Sequence, residues 1–224
     1  MAKVKAPSWK SFEKWLEQEV TKEFGLTRHF GFKPLDDFLS NLPSLAPEEK
    51  AELVKLNQKL KLYVDAWREE DLKMEFISGV LNIPAFQHPQ RIYRTFFDYP
   101  LKANLKNQSI NGKVDCMLAQ GFQIAEKPIF FLQEYKPQTR PTGDPLGQLL
   151  IAMVAAQYIN NDQENPLYGC YIIGQMWFFV VCHGTDFSVS SAFNSTDLNS
   201  LEAITAVLKK VKTLYEAKLQ LKQA

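Results

Sequence analysis

The chain has 224 residues, of which 46% are hydrophobic and 12% aromatic, so it can bury a sizeable core. This composition excludes general disorder. The formal net charge of +1 argues against a strongly basic protein that holds nucleic acid by charge alone, although a local basic groove is compatible with it.

The sequence carries no sign of a membrane segment or of disulfide bonds. No apolar run is long enough to span a bilayer, and the basic N-terminal residues lack the continuous apolar segment of a secretory signal. The cysteines Cys116, Cys170 and Cys182 are odd in number, widely spaced and set among apolar residues. This pattern predicts reduced core thiols rather than a zinc site, which needs closer Cys or His pairs. We therefore expect a cytoplasmic protein with no membrane partner.

The first third of the sequence is predicted to be helical. Apolar residues recur at helical spacing over Trp9–Phe24, and Gly25 is typical of a helix end. A short helix around Leu35–Leu42 and a long helix that starts after Pro47 are predicted next. We expect residues 1–66 to form an N-terminal helical extension and the core to occupy the rest of the chain.

The core, residues 67–224, alternates between helical and strand patterns. The predicted elements are a helix over Trp67–Leu81, a strand over Arg91–Tyr99, a turn at Asn111-Gly112 followed by a short strand, a buried strand over Lys127–Lys136, a helix after Gly143, paired strands over Tyr168–Gly174 and Gln175–Gly184, and a long C-terminal helix capped by Thr196 or Asp197. This order predicts an α/β fold with a central mixed β-sheet that helices cover on both faces.

Charged residues stand where these strands would otherwise continue a core. Glu134 and Lys136 end the buried strand, and because side chains alternate along a strand, they point to the same face. Gln133 and Tyr135 point to the other face, where Gln133 is interpreted as a structural partner. Asp115 lies on the preceding strand, so its carboxylate can meet that of Glu134.

Such a pair of carboxylates indicates a metal site. Two carboxylates held together repel each other unless a cation compensates them. Mg²⁺ is commonly held by one or two carboxylates together with water and substrate phosphate, and Mn²⁺ is a substitute. Lys136 supplies a positive charge that can stabilise developing negative charge or orient an attacking water. Asp115, Glu134 and Lys136 are therefore the groups that metal-assisted phosphodiester hydrolysis requires.

The same residues resemble a known family. Glu134–Lys136 matches the (D/E)xK element of the PD-(D/E)xK nuclease superfamily, whose members have the restriction-endonuclease-like fold. Gly112–Asp115 looks like the segment that carries the family's strand aspartate, although Val114 stands where the family name has proline. The resemblance covers roughly residues 67–190 and leaves the N-terminal helices unexplained.

The resemblance implies two further site residues. Asp144–Leu150 looks like the helix of RecB-like members in which a glutamine, here Gln148, often reaches the active site, but Ala152 stands where those members commonly have tyrosine. The family also commonly has an acidic residue on a helix before the core strands, for which Glu69 and Glu70 are the candidates. Helical geometry places Glu69 nearer to the centre of the apolar stripe, so Glu69 is preferred.

The resulting hypothesis is a divalent-metal-dependent nuclease that acts on nucleic acid, with DNA favoured over RNA. In this hypothesis Asp115, Glu134 and the backbone carbonyl of Tyr135 bind Mg²⁺, Lys136 positions or activates water, and Gln148 assists. A homodimer is compatible with it, because nucleases of this kind often pair to cut both strands.

Two alternatives remain at this point. The chain could be a nuclease-fold protein that binds nucleic acid or a protein partner without cutting, or an unrelated α/β protein with an accidental ExK match. Basic residues around the predicted site form either a phosphate-binding rim or scattered solvated charges; they are Lys113, Arg140, Arg91, Arg94, Lys102 and Lys106. The run Trp177–Phe179 is interpreted as core, and His183-Gly184 as a turn.

Overall fold

A mixed β-sheet of eight strands organises the protein. The computed structural model describes residues 10–105 and 109–221. Helices pack on both faces of the sheet. The predicted α/β class is therefore confirmed, and the arrangement is compatible with the restriction-endonuclease-like fold.

The structure contains the following helices and strands within the described residues. The helices are α1 (Glu17–Phe24), α2 (Lys33–Leu39), α3 (Pro47–Tyr63), α4 (Glu69–Leu72), α5 (Ser78–Asn82), α6 (Pro145–Asn160) and α7 (Leu198–Lys218). A 3-10 turn, Phe12–Lys14, precedes α1, and a π-helical turn, Lys73–Ile77, joins α4 to α5. The strands are β1 (Thr27–Arg28), β2 (Tyr93–Asn104), β3 (Ser109–Gln120), β4 (Glu126–Lys136), β5 (Leu167–Ile173), β6 (Met176–His183), β7 (Asp186–Val189) and β8 (Phe193–Asn194).

Strand β4 lies in the interior of the sheet. The strand order is β1-β7-β6-β5-β4-β3-β2, with β8 paired to β6. The pairs β4–β5 and β1–β7 are parallel, and the other pairs are antiparallel. Residues 129–136 of β4 are all buried, as the continuous apolar run predicted.

The sheet separates two hydrophobic cores. The α6-side core contains α6 together with Phe12 and Val20 from the N-terminal segment. The α7-side core contains α7 together with Leu53 and Leu60 of α3 and the helical segment that follows it. Residues before position 66 thus contribute to both cores, and the division of the chain at residue 66 stays a prediction.

The continuous helix predicted over Trp9–Phe24 is wrong within the described residues, which exclude Trp9. A 3-10 turn and α1 occupy this segment, with extended backbone at Trp15 and Leu16 between them. Tertiary contact explains the break. The backbone of Trp15 passes so close to Gly147 of α6 that a Cβ atom there would lie 2.5 Å from the Trp15 carbonyl oxygen. Apolar periodicity along one segment does not report such a contact.

The turn predicted at Asn111-Gly112 is also wrong. Both residues lie inside β3, and β2 and β3 pair without a gap from Asn104↔Ser109 as far as Leu101↔Gly112. Residue 112 is glycine because the Phe12 ring packs on the strand there: an added Cβ would lie 2.2 Å from Phe12 Cγ. Glycine marks a close approach at this position, and not a chain reversal.

The predicted turn residues, helix cap and buried aromatic residues are confirmed. Gly25 ends α1 in the left-handed conformation, Gly184 has φ +61° after β6, and the Asp197 carboxylate caps α7 by accepting from Ser200 N–H. Trp177 and Phe179 are fully buried. All three cysteines are buried free thiols. No helix among the described residues is long and apolar enough to cross a membrane.

The substitution Gly112→Ala should destabilise the fold, because its methyl group would overlap the Phe12 ring. We expect a loss of about 1–3 kcal/mol in the free energy of unfolding, which is typical of an overpacked core, measured by urea denaturation. In a Phe12→Ala background the same substitution should cost much less. An equal loss in both backgrounds would mean that contact with Phe12 is not what requires glycine here.

Candidate active site

Two buried charged side chains share one face at the end of β4. Glu134 is 8% exposed and Lys136 is 7% exposed, and Lys136 Nζ donates a hydrogen bond of 2.6 Å to Glu134 Oε1. On the opposite face, the Tyr135 hydroxyl donates to Gln133 Oε1 within the α7-side core. The alternation predicted for this strand is therefore confirmed.

Asp115 meets the same point of the sheet from β3. The register pairs Cys116 with Gln133, so the next residue toward the site is Asp115 on β3 and Glu134 on β4. The Tyr135 backbone N–H donates to Asp115 Oδ2 at 2.8 Å, which fixes the carboxylate against β4. The structure thus brings Asp115, Glu134 and Lys136 together.

The side-chain alternation of β3 is interrupted next to Asp115. Val114 and Met117 both pack into the α6-side core, although strict alternation puts residues three apart on opposite faces. The pairs on either side place Asp98 of β2 opposite Asp115, and Asp98 has φ +49°, a conformation that aspartate tolerates better than most residues. No sequence pattern pointed to Asp98, since its position opposite Asp115 depends on this pairing.

Helix α4 contributes a further acidic side chain, Glu69, to this charged cluster. Glu69 Oε2 lies 3.8 Å from Lys136 Nζ, and Glu69 Oε1 accepts from Lys73 Nζ at 2.9 Å. The Glu70 side chain is 78% exposed and lies 3.3 Å from Lys73 Nζ. Of the two candidate helix acids, Glu69 is the one that touches the lysine of β4.

Lys73 is a member of the cluster that sequence reasoning missed. Its Nζ atom donates to Asp115 Oδ1 at 2.9 Å, and its side chain is 17% exposed. Burial lowers the pKa of Lys73, but the hydrogen bonds to Asp115 and Glu69 outweigh it and hold the pKa well above its usual range. The spacing of four residues from Glu69 signals an ion pair on one helix face, but no sequence signal pointed to Asp115.

Gln148 lines the same cleft from the first turn of α6. Asp144 caps this helix by accepting from Gly147 N–H at 3.0 Å, and the Gln148 side chain is buried beside Gly143. None of the hydrogen bonds between described residues joins the Gln148 amide to Asp115, Glu134 or Lys136. Gln148 is therefore close to the cluster without being bonded to it.

The cluster opens into a cleft of about 490 Å³ in which acidic residues predominate. Its charged lining residues are Glu13, Glu69, Glu70, Asp98, Asp115, Glu134, Lys73, Lys113 and Lys136. Acids outnumber lysines two to one, so a phosphate group meets repulsion here unless a further cation is present.

Only part of the predicted basic rim lies at the cleft. Lys113 lines it, and Arg140 lies in the loop between β4 and α6. Arg91 and Arg94 instead lie over the rings of Phe122 and Phe96. Lys102 is exposed on β2, and Lys106 lies outside the described residues.

The electrostatics of Glu134 reflect this crowding. Burial and, after it, the nearby Asp115 carboxylate raise the pKa of Glu134 to about 8 against the opposing effect of Lys136. Near neutral pH, the Glu134 carboxyl therefore keeps its proton for much of the time when no other cation is present. Ionising both carboxylates together requires additional positive charge.

The donor set fits a hard cation. Among the described residues no cluster of three or more His, Cys, Asp or Glu side chains could hold a metal ion. Two carboxylates, Asp115 and Glu134, remain, and Mg²⁺ is commonly held by that number with water and substrate oxygens completing its shell. The Lys73 ammonium is itself a cation bound to Asp115, which shows that this oxygen accepts a positive partner.

Comparisons with known proteins add little to this geometry. No family model matches the chain, and no curated protein matches it. Among solved structures, the chain is similar to one in the cryo-EM structure of a DrdV–DNA complex, with 13% identity and a TM-score of 0.42. The match covers 74% of this chain but spans only 14% of that one. A likeness this distant says nothing about activity.

The raised pKa of Glu134 predicts a pH-dependent stability in EDTA. The folded state holds a proton that the unfolded state has released, so this contribution is full below the unfolded pKa of 4.5 and is lost as pH rises through about 8. Between about pH 6 and pH 9, we expect the free energy of unfolding to fall by on the order of 2 kcal/mol.

Chemical denaturation of Glu134→Gln and of the exposed control Glu52→Gln checks this prediction. The slope should flatten in Glu134→Gln, because an amide has no proton to lose, and it should persist in Glu52→Gln. A slope unchanged by Glu134→Gln would assign the pH dependence to another group.

Proposed function

We propose that this protein is a divalent-metal-dependent nuclease that hydrolyses phosphodiester bonds, with DNA as the favoured substrate. One observation carries the proposal: Asp115, Glu134 and Lys136 converge, largely buried, at the end of β4 and face one cleft. Burying this much charge is costly, and a structural role would be served as well by apolar residues.

Each residue has a definite part in the proposed reaction. A bound Mg²⁺ would supply Lewis-acid chemistry at the phosphate and make water a better nucleophile. Asp115 and Glu134 would hold the ion, and the backbone N–H of Tyr135 keeps the Asp115 carboxylate oriented. The backbone carbonyl of Tyr135 is proposed as a further ligand. Lys136, held between Glu134 and Glu69, orients water or balances the negative charge that develops on the phosphate.

The charge of the cleft supports a strict dependence on metal. The excess of acidic side chains repels a phosphodiester, and the chain's net charge of +1 offers no compensating field. A divalent ion at Asp115 and Glu134 would remove that repulsion at the point where the scissile phosphate must lie.

A second candidate function is binding of nucleic acid or a protein partner without cutting. The observation that favours it is the contact between Lys73 and Asp115, because an ammonium group already neutralises the aspartate that should bind metal. The two candidate functions share the fold and differ in whether a divalent cation can replace Lys73 at the Asp115 carboxylate.

A cleavage assay tests the proposal. Purified protein is incubated with single- and double-stranded DNA and RNA in Mg²⁺, Mn²⁺ or EDTA, beside Asp115→Asn, Glu134→Gln and Lys136→Met. We expect cutting in metal alone and at least about a hundredfold loss of rate in each variant, because each removes a group placed at the reacting phosphate.

The surface variants Glu52→Gln and Lys55→Met, which break an exposed ion pair on α3, are matched controls and should cut like the wild type. Cutting that survives in all three site variants would refute the site assignment. Binding of nucleic acid with no cutting under any metal condition would favour the second candidate.

The role of Gln148 can be separated from its burial by comparison with Gln157. Both glutamines are buried on α6, but Gln157 Nε2 donates to the Gly184 carbonyl, away from the cleft. We expect Gln148→Ala to lower the cleavage rate by roughly tenfold, because one polar group at the site is lost. Gln157→Ala should lower thermal stability and leave the rate of the folded enzyme unchanged. Equal rates in both variants would make Gln148 a structural residue only.

A further inference from the structure

Lys73 is held in the cleft by three carboxylates. Its Nζ atom lies 2.9 Å from Asp115 Oδ1, 2.9 Å from Glu69 Oε1 and 3.3 Å from Glu70 Oε1. Lys73 is also the first residue of the π-helical turn, whose widened geometry is frequent at functional sites. The lysine is therefore an internal counter-ion of the aspartate on which metal binding depends.

Both oxygens of Asp115 have donors. Oδ2 accepts from the Tyr135 backbone N–H at 2.8 Å, and Oδ1 accepts from Lys73. A Mg²⁺ ion binds carboxylate oxygen at about 2.0–2.1 Å, so an ion on Asp115 Oδ1 would share that oxygen with the ammonium group. The Mg²⁺ ion and the Lys73 ammonium would repel each other if both were bound to this one oxygen. The backbone N–H cannot leave without disrupting β4, whereas the lysine side chain can leave by changing its rotamer.

The helix already contains the partners that Lys73 needs after leaving Asp115. Glu69 and Glu70 lie one turn earlier, at the spacings that favour ion pairs on a helix. The Glu70 side chain is 78% exposed, so a lysine that turns toward it becomes more exposed to solvent.

We propose that Lys73 is a positioning residue that holds Asp115 in the metal-free protein and has to leave Asp115 Oδ1 before a divalent cation binds. The inference rests on the proposed function, because it takes Asp115 as a metal ligand. Its consequence is that Lys73 lowers the metal affinity of the site, while keeping the aspartate oriented when the metal is absent.

Calorimetric titration with Mg²⁺ and Mn²⁺ tests this competition without relying on cleavage. We expect Lys73→Met to bind the metal about tenfold more tightly than the wild type, because no ammonium has to be displaced. Lys113→Met is the matched control: it removes one positive charge from the same cleft, but among the described residues Lys113 makes no ion pair with the site carboxylates. Its affinity should change by less than about threefold, since an exposed charge is screened.

The charge-preserving variant Lys73→Arg should bind the metal no more tightly than the wild type, because guanidinium also competes for Asp115. A Lys73→Met affinity equal to or weaker than that of the wild type would overturn the inference. An equal gain in Lys73→Met and Lys113→Met would do the same, because the effect would then be one of general charge.

A measurement on the wild-type protein keeps the inference testable if Lys73→Met does not fold. Lysine acetylation is followed by mass spectrometry in EDTA and in saturating Mg²⁺. Displacement should raise the acetylation rate of Lys73 at least about threefold, because the amine becomes exposed, and leave Lys113 unchanged. An unchanged rate at Lys73 despite calorimetric metal binding would overturn the inference alone. Absence of metal binding in the wild type and every Lys73 variant would overturn it together with the proposed function.

Discussion

The hydrogen bond from the Tyr135 backbone N–H to Asp115 Oδ2, at the end of the β3–β4 ladder, is the interaction on which the site depends. It places an aspartate carboxylate where the ladder would otherwise continue, directly beside Glu134. Two acids brought this close in a buried position need compensating charge. Lys136 compensates Glu134, Lys73 compensates Asp115, and Glu69 links the two lysines. Ion pairs between these five side chains thus organise the cleft.

The scaffold around this cluster draws on distant parts of the chain. The Asp144 carboxylate accepts from Gly147 N–H with one oxygen, which caps α6, and from Glu17 N–H with the other at 2.7 Å. One side chain therefore ties the start of α1 to the turn of α6 that carries Gln148. Because Phe12 also packs against Gly112 of β3, the N-terminal segment supports two of the elements that line the cleft. The position of the N-terminal segment is set by its close contacts with the backbone of other elements.

The two candidate functions differ in whether a divalent cation or the Lys73 ammonium neutralises Asp115. A site whose acids exceed its lysines retains negative charge, and a divalent cation neutralises it better than another ammonium group can. The same acids repel nucleic acid as long as no cation is bound. Catalysis and metal-free binding therefore make opposite demands on Asp115, and catalysis would require that the Lys73 ammonium leave this carboxylate.

Local sequence patterns were sufficient to predict the α/β class, the buried strand β4 and the shared face of Glu134 and Lys136, because these features depend on local periodicity and on the alternation of side chains along a strand. The local patterns predicted the wrong structure at Gly112 and around Trp15, because residues distant in sequence approach within van der Waals distance there. They also did not reveal Lys73 or Asp98 as neighbours of Asp115. The contacts of Lys73 and Asp98 near Asp115 arise only in the folded protein. The register of β2 and β3 and the packing of α4 on the sheet bring together residues that no local pattern relates.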